Sequence, residues 1–165
     1  MIRYIQPLSD TSDFTKLEDA LFEHLNAESH YHFLTYTLMK LDRPQIRHLI
    51  QTHKEAEIDY VVYEEDNRFV GIVAYKRNPI LGFEVYVMVV AKHFQHKGIG
   101  KQLLEATEQV ALKEGYKHMD VLVFADNKTM LRLLLKCDYI IINIQHHMRA
   151  DGMDIIKLRK YISCE

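Results

Sequence analysis

The sequence predicts a single mixed α/β domain, on three observations. Residues 83–90 alternate apolar with mixed side chains and are rich in valine, which is typical of a strand, and a glycine-bearing turn follows them. Met119–Phe124 is a nearly continuous apolar run, as in a strand that is buried on both faces. Asp151-Gly152 is a strong turn dipeptide between two segments with strand character. With the helical segments described below, these features predict the order β-α-α-β-β-β-α-β-α-β-β.

The N-terminal part of the chain is predicted to supply one strand and two helices. Ile2–Gln6 reads as a short strand. The segment after it has apolar residues at helical spacing behind several residues that favour helix N-caps. The N-cap candidates are Asp10, Thr11, Ser12 and Asp13, and the apolar face is Phe14, Leu17, Leu21 and Leu25. An aromatic-rich stretch between Tyr31 and Tyr36 precedes a second helix, for which Asp42 and Pro44 are good start signals.

Strands dominate the pattern from Asp59 to the central turn. Asp59–Glu64 and Arg68–Lys76 read as two strands joined by a short polar turn, which predicts a hairpin. The central strand at residues 83–90 follows, and after it comes a helix that closes at Glu114-Gly115. The apolar face of that helix is Ile99, Leu103, Ala106 and Val110.

The last third repeats the alternation on a smaller scale. Asp126 is the expected N-cap of a short helix whose apolar residues are Met130, Leu131, Leu133 and Leu134. Tyr139–Met148 and Met153–Arg159 are then expected to form a closing hairpin around the Asp151-Gly152 turn. The chain has no repeats, linkers or low-complexity segments, so we expect residues 1–165 to form one domain.

Composition excludes several classes of function. The net charge of -2 gives no electrostatic footprint for nucleic acid or an anionic membrane, and no apolar run is long enough to cross a bilayer. Two cysteines, Cys137 and Cys164, do not make a disulfide framework, and we expect a cytoplasmic protein. Ten histidines invite a metal site, but none forms the i, i+4 pair of a zinc protease, so no metal is expected.

The turn after the central strand is suited to bind an anion. It contains Gly98 and Gly100 immediately before and within the start of a helix, and its sequence is Gln95-His96-Lys97-Gly98-Ile99-Gly100. The first N–H groups of a helix have no intrahelical partner, and glycine lets a ligand approach the backbone closely. A Walker loop is excluded because Lys101-Gln102 follows, without the magnesium-binding hydroxyl. A dinucleotide fingerprint is excluded because it requires three glycines after a first strand.

The remaining pattern resembles the signature of the GNAT superfamily of acyl-CoA-dependent N-acyltransferases. That signature is Gln/Arg-x-x-Gly-x-Gly/Ala, matched here by Gln95, Gly98 and Gly100. The resemblance covers nearly the whole chain and is most specific between Gly82 and Tyr139. It implies a mixed sheet whose fourth and fifth strands splay apart, with acetyl-CoA lying in the gap. The residues that would bind the cofactor are Met88, Val89, Val90, Gln95, His96, Lys97, Gly98, Ile99, Gly100, Lys101 and Asn127.

The resemblance also implies catalytic groups. Glu84 lies on the central strand where some family members have a glutamate base, and strand alternation predicts that it faces with Tyr86, Met88 and Val90. A lone carboxylate among apolar neighbours would have a raised pKa that suits proton transfer, although an exposed strand residue is an equally good interpretation. A strand bulge at Val89 or Val90 would supply the N–H that stabilises the oxyanion. Asn127 is interpreted equally well as helix-start chemistry.

One departure from the family pattern concerns the general acid. The tyrosine that the family places seven residues after the asparagine is Leu134 here, and Tyr139 is expected to be packed away in the next strand. The amine acceptor would bind near Tyr31 and Tyr36, with His32 and His147 as further candidates. Wall or core aromatics are the simpler interpretation of the two tyrosines.

We therefore expect an acetyltransferase that moves acetyl from acetyl-CoA to a primary amine. The acceptor would be a small molecule or a protein, and a homodimer is left open. A non-catalytic acyl-CoA sensor is the alternative suggested by Leu134, and a third option is an interaction domain without a ligand. Acetyl-CoA binding would separate the third option from the other two, and thiol release with amines would separate those two.

Overall fold

The computed structural model describes residues 1–5, 11–29, 31–78, 80 and 82–162, with no side-chain description at Thr11. Three sequence-based assignments lie outside these residues: the end of the first strand at Gln6, the N-cap candidate Asp10, and Cys164.

The element order predicted from the sequence is confirmed. Two short 3-10 helices, at Tyr31–Phe33 and Lys92–Phe94, lie between the longer elements. In chain order the longer elements are β1 Ile2–Ile5, α1 Thr11–Leu25, α2 Arg43–Glu55, β2 Asp59–Glu65, β3 Arg68–Asn78, β4 Gly82–Val90, α3 Ile99–Lys113, β5 His118–Phe124, α4 Lys128–Lys136, β6 Ile140–Gln145 and β7 Ile155–Tyr161.

The strands form one mixed sheet in the order β1-β2-β3-β4-β5-β7-β6. β4 and β5 run parallel, and each of the other neighbouring pairs is antiparallel. On one face of the sheet α3 and α4 bury Leu103 and Leu134 against β3, β4 and β5. On the other face α1 and α2 bury Leu21 and Ile50 against β2 and β3. The domain is thus a sheet between two helical layers, and β4 contributes to both.

The starts of two helices depend on different contacts, on local ones at α2 and on a long-range one at α4. Asp42 caps α2 as predicted: its carboxylate accepts from the Gln45 N–H at 2.8 Å, and the Gln45 side chain accepts from the Asp42 N–H at 2.8 Å. The prediction that Asp126 caps α4 is wrong. The cap is Asn127, whose Oδ1 accepts from the Met130 N–H at 3.1 Å. The carboxylate of Asp126 instead accepts two hydrogen bonds from Arg149.

The closing hairpin is shorter than its sequence predicted. β6 ends at Gln145 and β7 begins at Ile155, so the expected strand segments at 146–148 and 153–154 belong to a loop. Asp154 accounts for the difference because its carboxylate accepts from the His147 N–H at 3.0 Å and contacts the His146 ring, also at 3.0 Å. These contacts hold residues 146–154 in a loop, so β6 and β7 do not pair beyond Gln145 and Ile155. Gly152 retains the left-handed conformation, with φ 85°, that the turn dipeptide predicted.

None of the helices in the described ranges is both long and apolar enough to cross a membrane.

Candidate active site

A gap opens in the middle of the sheet, between β4 and β5. Their parallel pairing comprises Phe83 with Met119, Glu84 with Asp120, and Val85 with Val121. Beyond that last pair β4 continues to Val90 and β5 continues to Phe124, but the two strands no longer pair. The splayed sheet expected from the sequence is therefore present, and the gap is closed at Val85 and open towards α3.

One edge of β4 lines this gap with backbone groups. The Ala91 N–H donates to Val70 O at 2.8 Å, so this amide points to β3. In an antiparallel ladder alternate residues point to the same neighbour, which directs the Val89 N–H to β3 as well. The N–H groups of Met88 and Val90 consequently face the gap. Of the two oxyanion donors considered from the sequence, only Val90 has the required direction.

The loop after β4 leads from this edge to the start of α3. The Gln95 side chain donates through Nε2 to Val90 O at 3.0 Å, which fixes the loop to the end of the strand. Positive φ angles of 62° at His96 and 80° at Gly98 then curve the backbone, as in the concave N–H arrangements that bind anions. The first bond into the helix is donated by Gln102 to Gly98 O, at 3.1 Å. The N–H groups of Ile99, Gly100 and Lys101 precede it, so none has a partner within the helix.

The start of α3 differs from the starts of α2 and α4. Asp42 and Asn127 accept the free N–H groups of those two helices, whereas Gly98, the N-cap of α3, makes no side-chain capping bond. The positive end of the α3 dipole also faces the loop. Lys97 adds positive charge beside it, whereas the Lys101 ammonium lies 3.5 Å from the carboxylate of Glu105. This is the arrangement that a phosphate group requires.

The two glycines of the loop have different structural roles. A Cβ on Gly100 would lie 3.0 Å from Leu133 Cδ2 and 3.1 Å from Met88 Cε, so Gly100 allows α3 to pack closely on β4 and α4. A Cβ on Gly98 would meet only Gln102 Nε2, at 3.9 Å. Glycine takes the left-handed φ at position 98 without steric cost, and its surroundings are open to a ligand.

A β-bulge interrupts β4 at Tyr86. Tyr75 pairs with Val85 and Ala74 pairs with Val87, which leaves Tyr86 as an extra residue. Phe83 and Val85 pack in the core under α3, and after the bulge Met88 and Val90 pack there too. The prediction that Glu84 faces with Met88 and Val90 is therefore wrong, because the extra residue reverses the alternation. The bulge expected at Val89 or Val90 lies at Tyr86 instead.

Glu84 is not the lone carboxylate that the sequence suggested. Lys76 is its registered partner on β3, and the Lys76 ammonium lies 3.1 Å from Glu84 Oε1. The same ammonium lies over the Tyr86 ring, 5.2 Å from its centroid. Glu84 is only 20% exposed, at the closed end of the gap. A carboxylate, an aromatic ring and a bound ammonium thus meet there.

A buried histidine packs against the ring of Tyr86. His53 of α2 contacts Tyr86 edge to face, with ring centroids 5.2 Å apart, and its Nδ1 lies 2.5 Å from the Tyr60 hydroxyl. Burial lowers the pKa of His53 to about 4, so the ring is neutral at pH 7. Sequence reasoning missed Lys76 and His53, and it named Tyr86 only as a residue on the same face of the strand as Glu84. The strand register is the information from which the ion pair could have been found, because it places Lys76 opposite Glu84.

The structure separates the two tyrosines expected at the acceptor site. Tyr36 is half exposed, packs on Phe124 at a centroid distance of 5.3 Å, and has its pKa raised by burial and by the nearby Tyr86 and Glu84. It therefore borders the gap. Tyr31 instead lies beside Lys40, whose ammonium is 5.3 Å from the ring centroid.

Arg149 holds the segment that carries both tyrosines. It is 4% exposed and donates to His32 O at 2.9 Å, while both of its flanking carboxylates, on Asp126 and Asp151, accept from it. The next residue, Ala150, donates its N–H to Tyr36 O at 2.8 Å. The loop between β6 and β7 therefore fixes the position of Tyr36. Of the two histidine candidates, His32 lies in the held segment and His147 lies in the holding loop.

Neither residue considered for the general acid can reach the gap. Leu134 is fully buried, and Tyr139 is 2% exposed in the core under α3 and α4. The Tyr139 hydroxyl finds no hydrogen-bond partner within the described ranges, and burial raises its pKa far above the usual value for tyrosine. No cluster of three or more His, Cys, Asp or Glu side chains suited to a metal ion occurs in the same ranges.

Tyr139→Phe is expected to leave turnover near that of the wild type. It should also raise the free energy of unfolding by about 1 kcal/mol, because a buried hydroxyl without a partner is removed. Leu134→Tyr is the converse control: it places a hydroxyl in a fully buried position, so it should lower stability without raising the rate. Steady-state kinetics and urea unfolding measure both effects. A collapse of turnover in Tyr139→Phe would identify Tyr139 as the acid and contradict this interpretation.

A model of the Acetyltransferase (GNAT) family matches residues 15–139, which include the splayed strands, the loop and the start of α4. The chain belongs to this family. Acetyl transfer is accordingly its general class of reaction. None of the curated proteins compared with the sequence matches it.

Solved structures show the same GNAT fold at low sequence identity. The ribosomal-protein-alanine N-acetyltransferase of Brucella melitensis is 16% identical, with a TM-score of 0.77 over 98% of this chain and 99% of that one. Ard1 of Thermoplasma volcanium is 15% identical, with a TM-score of 0.76 over 99% and 98%. The yncA protein of Salmonella typhimurium, solved with its cofactor acetyl-CoA, is 14% identical, with a TM-score of 0.72 over 100% and 95%. At these identities the likeness concerns the fold.

Proposed function

We propose that this GNAT protein transfers acetyl from acetyl-CoA to a primary amine by direct attack on the thioester. The observation that carries the proposal is the continuous path from the uncapped start of α3, along the free edge of β4, to Glu84 at the closed end of the gap. One end of the path suits phosphate, and the other end already holds an ammonium group.

The cofactor would lie along this path. Its pyrophosphate would accept hydrogen bonds from the loop amides at residues 95–101, with Gly98 and Gly100 providing the close approach. Its pantetheine arm would pair with the β4 edge at Met88 and Val90, while Val89 contributes to the opposite layer. The side-chain oxygen of Asn127 caps α4, so its side-chain N–H₂ would donate the hydrogen bond to the pantetheine arm.

The chemical steps follow from proton affinities. An alkyl ammonium has a pKa of about 10.4, so releasing its proton at pH 7 costs about 4–5 kcal/mol. Glu84 would accept this proton, and the free amine would attack the thioester carbon. Val90 lies six residues beyond Glu84, too far to contact the same carbon. The Met88 N–H, which also faces the gap and lies nearer to Glu84, would stabilise the resulting oxyanion. The departing thiolate belongs to a thiol with a pKa of about 8.5. The free energies of the thiolate and the thiol therefore differ by only about 2 kcal/mol at pH 7, and water can supply the proton.

The acceptor would enter beside Tyr36. The hydroxyl and ring of this residue border the gap on the side of α1 and α2, and the Arg149 contacts hold its segment in place. Tyr31, His32 and His147 lie further along the same segment and its supporting loop and would contact a larger acceptor. Either a small molecule or a protein amine is compatible with this half-open wall.

A non-catalytic acyl-CoA sensor is the second candidate. It is favoured by one observation: Leu134 and Tyr139 are both buried, so neither position supplies an acid to the departing thiolate. This alternative predicts tight acetyl-CoA binding without turnover.

The proposal is tested with a panel of amines that spans polyamines, aminoglycosides, amino acid amides and peptide N-termini. We expect thiol release above the rate without acceptor for at least one class of primary amine, and a product heavier by one acetyl group. Binding of acetyl-CoA with no acetylated product anywhere in the panel would favour the sensor. Absence of binding would contradict both candidates.

A further inference from the structure

Lys76 holds an unusual position among the lysines of the chain. Its ammonium is 3.1 Å from Glu84, the proposed base, and lies over the ring of Tyr86. Other lysines of the described ranges pair with carboxylates elsewhere, at Glu64, Glu28, Glu105, Asp120 and Glu108. Lys76 is therefore the lysine paired with the proposed base.

The ammonium also lies at the closed end of the gap. Glu84 is one position before Val85, the last residue of β4 that pairs with β5. Tyr86 is the first residue beyond that pair, so the ring under the ammonium marks the point where the strands part. An acyl chain threaded from the α3 end must stop at this point, because the hydrogen-bonded strands close the path. The Lys76 side chain is 40% exposed, so its amine has room to move towards the thioester at the end of the acyl chain.

We propose that Lys76 is an internal acceptor and that the protein acetylates itself on this side chain. The inference rests on the proposed function and names a second substrate of the same site. Glu84 takes a proton from the Lys76 ammonium, and the free Nζ attacks the thioester carbon of acetyl-CoA. The C–N bond forms, the nitrogen releases its second proton to water, the C–S bond breaks, and CoA leaves as the thiolate. The thiolate takes a proton back from water, and Glu84 releases its proton to solvent. The product is a neutral amide on Lys76.

The modification would change the site for external amines. Lys76 occupies the carboxylate and the ring face with its own positive charge, so an incoming ammonium must compete with it. Acetylation removes that charge and leaves Glu84 without its cation. We therefore expect the acetylated protein to have a lower KM for external amines than the unmodified protein.

The test is incubation of the full chain with acetyl-CoA alone, followed by intact mass measurement and peptide mapping. We expect one acetyl group per chain, located on Lys76. Lys76→Arg should abolish it, since a guanidinium keeps the charge but remains protonated and is no nucleophile. Lys157→Arg is the matched control, because Lys157 pairs with Asp120, the registered neighbour of Glu84 on β5. That variant should still acquire the acetyl group.

Two further arms identify the source of the reaction. Glu84→Gln should slow the modification by about 100-fold or more. Urea-unfolded protein reports the rate of uncatalysed acetylation, and a modification that is equally fast there, or that is spread over many lysines, would overturn the proposal. The amine panel, run in parallel, separates self-acetylation from the proposed acetyl transfer to external amines. If external amines are acetylated and Lys76 stays unmodified, only the self-acetylation proposal is contradicted. If neither product forms, the proposed function is contradicted as well.

Discussion

Gly98→Asp is expected to weaken acetyl-CoA binding by about 100-fold or more, while Gly115→Asp should leave it unchanged. The two glycines form a matched pair because they flank α3 and have the same left-handed conformation, with φ 80° and 83°. A Cβ on either glycine meets no atom closer than 3.9 Å, so each substitution introduces similar backbone strain without a clash. Only Gly98 lies among the N–H groups proposed to bind the pyrophosphate, where a carboxylate would repel the ligand by several kcal/mol.

Calorimetric titration with acetyl-CoA measures this difference, and thermal unfolding shows whether both variants fold. The positive end of the α3 dipole favours a carboxylate at position 98, whereas the negative end disfavours one at position 115, so the control is the less stable variant of the two. Unchanged affinity in a folded Gly98→Asp protein would refute the phosphate site. Gly100 is a weaker test of the same site, since any side chain there also collides with Leu133 and Met88.

Glu84→Gln is expected to lower kcat/KM for the amine acceptor by about 10²–10⁴ at pH 7, with little change in acetyl-CoA affinity. The variant keeps the size of the side chain and loses its basicity. The deficit should shrink as the pH rises towards 10, because an increasing fraction of the amine is then deprotonated without help.

Glu108→Gln provides the control for loss of an ion-paired glutamate. Glu108 is 19% exposed and lies 2.7 Å from Lys160, whereas Glu84 is 20% exposed and lies 3.1 Å from Lys76. Both variants break one partly buried ion pair, but Glu108 lies on α3, away from the gap. Rates measured from pH 6.5 to pH 10 decide the role of Glu84. A deficit of the same size at every pH would assign it to positioning rather than to proton transfer.

The sequence predicts those parts of the fold that neighbouring residues determine. Helical and strand periodicities differ, so the order of the elements can be assigned from apolar spacing and turns alone. The uncapped start of α3 is likewise local, because Gly98 and its neighbours determine which N–H groups are free. The choice between Asp126 and Asn127 as the cap of α4 is not local. It depends on Arg149, which lies 23 residues from Asp126 in sequence and binds its carboxylate.

The chemistry around Glu84 could not be predicted in the same way. Strand alternation fixes the face of a residue only while the ladder is regular, and the bulge becomes visible only when β4 is paired with β3. The same register places Lys76 against Glu84 and replaces an isolated carboxylate by an ion pair. Long-range register, rather than composition or spacing, therefore determines the charge environment of the proposed base.

The extra residue at Tyr86 lets one strand meet two requirements that a regular strand cannot combine. Before it, Phe83 and Val85 must lie under α3 to complete the core beside β5; after it, Met88 must lie under α3 to receive Gly100. These positions differ in parity, and strict alternation would place Met88 in the opposite layer. The number of residues in β4, as much as their chemistry, thus decides which layer each side chain joins. Removing Tyr86 would leave a regular strand with every remaining side chain in its present layer, whereas straightening the bulge with Tyr86 in place would exchange the two layers over the whole second half.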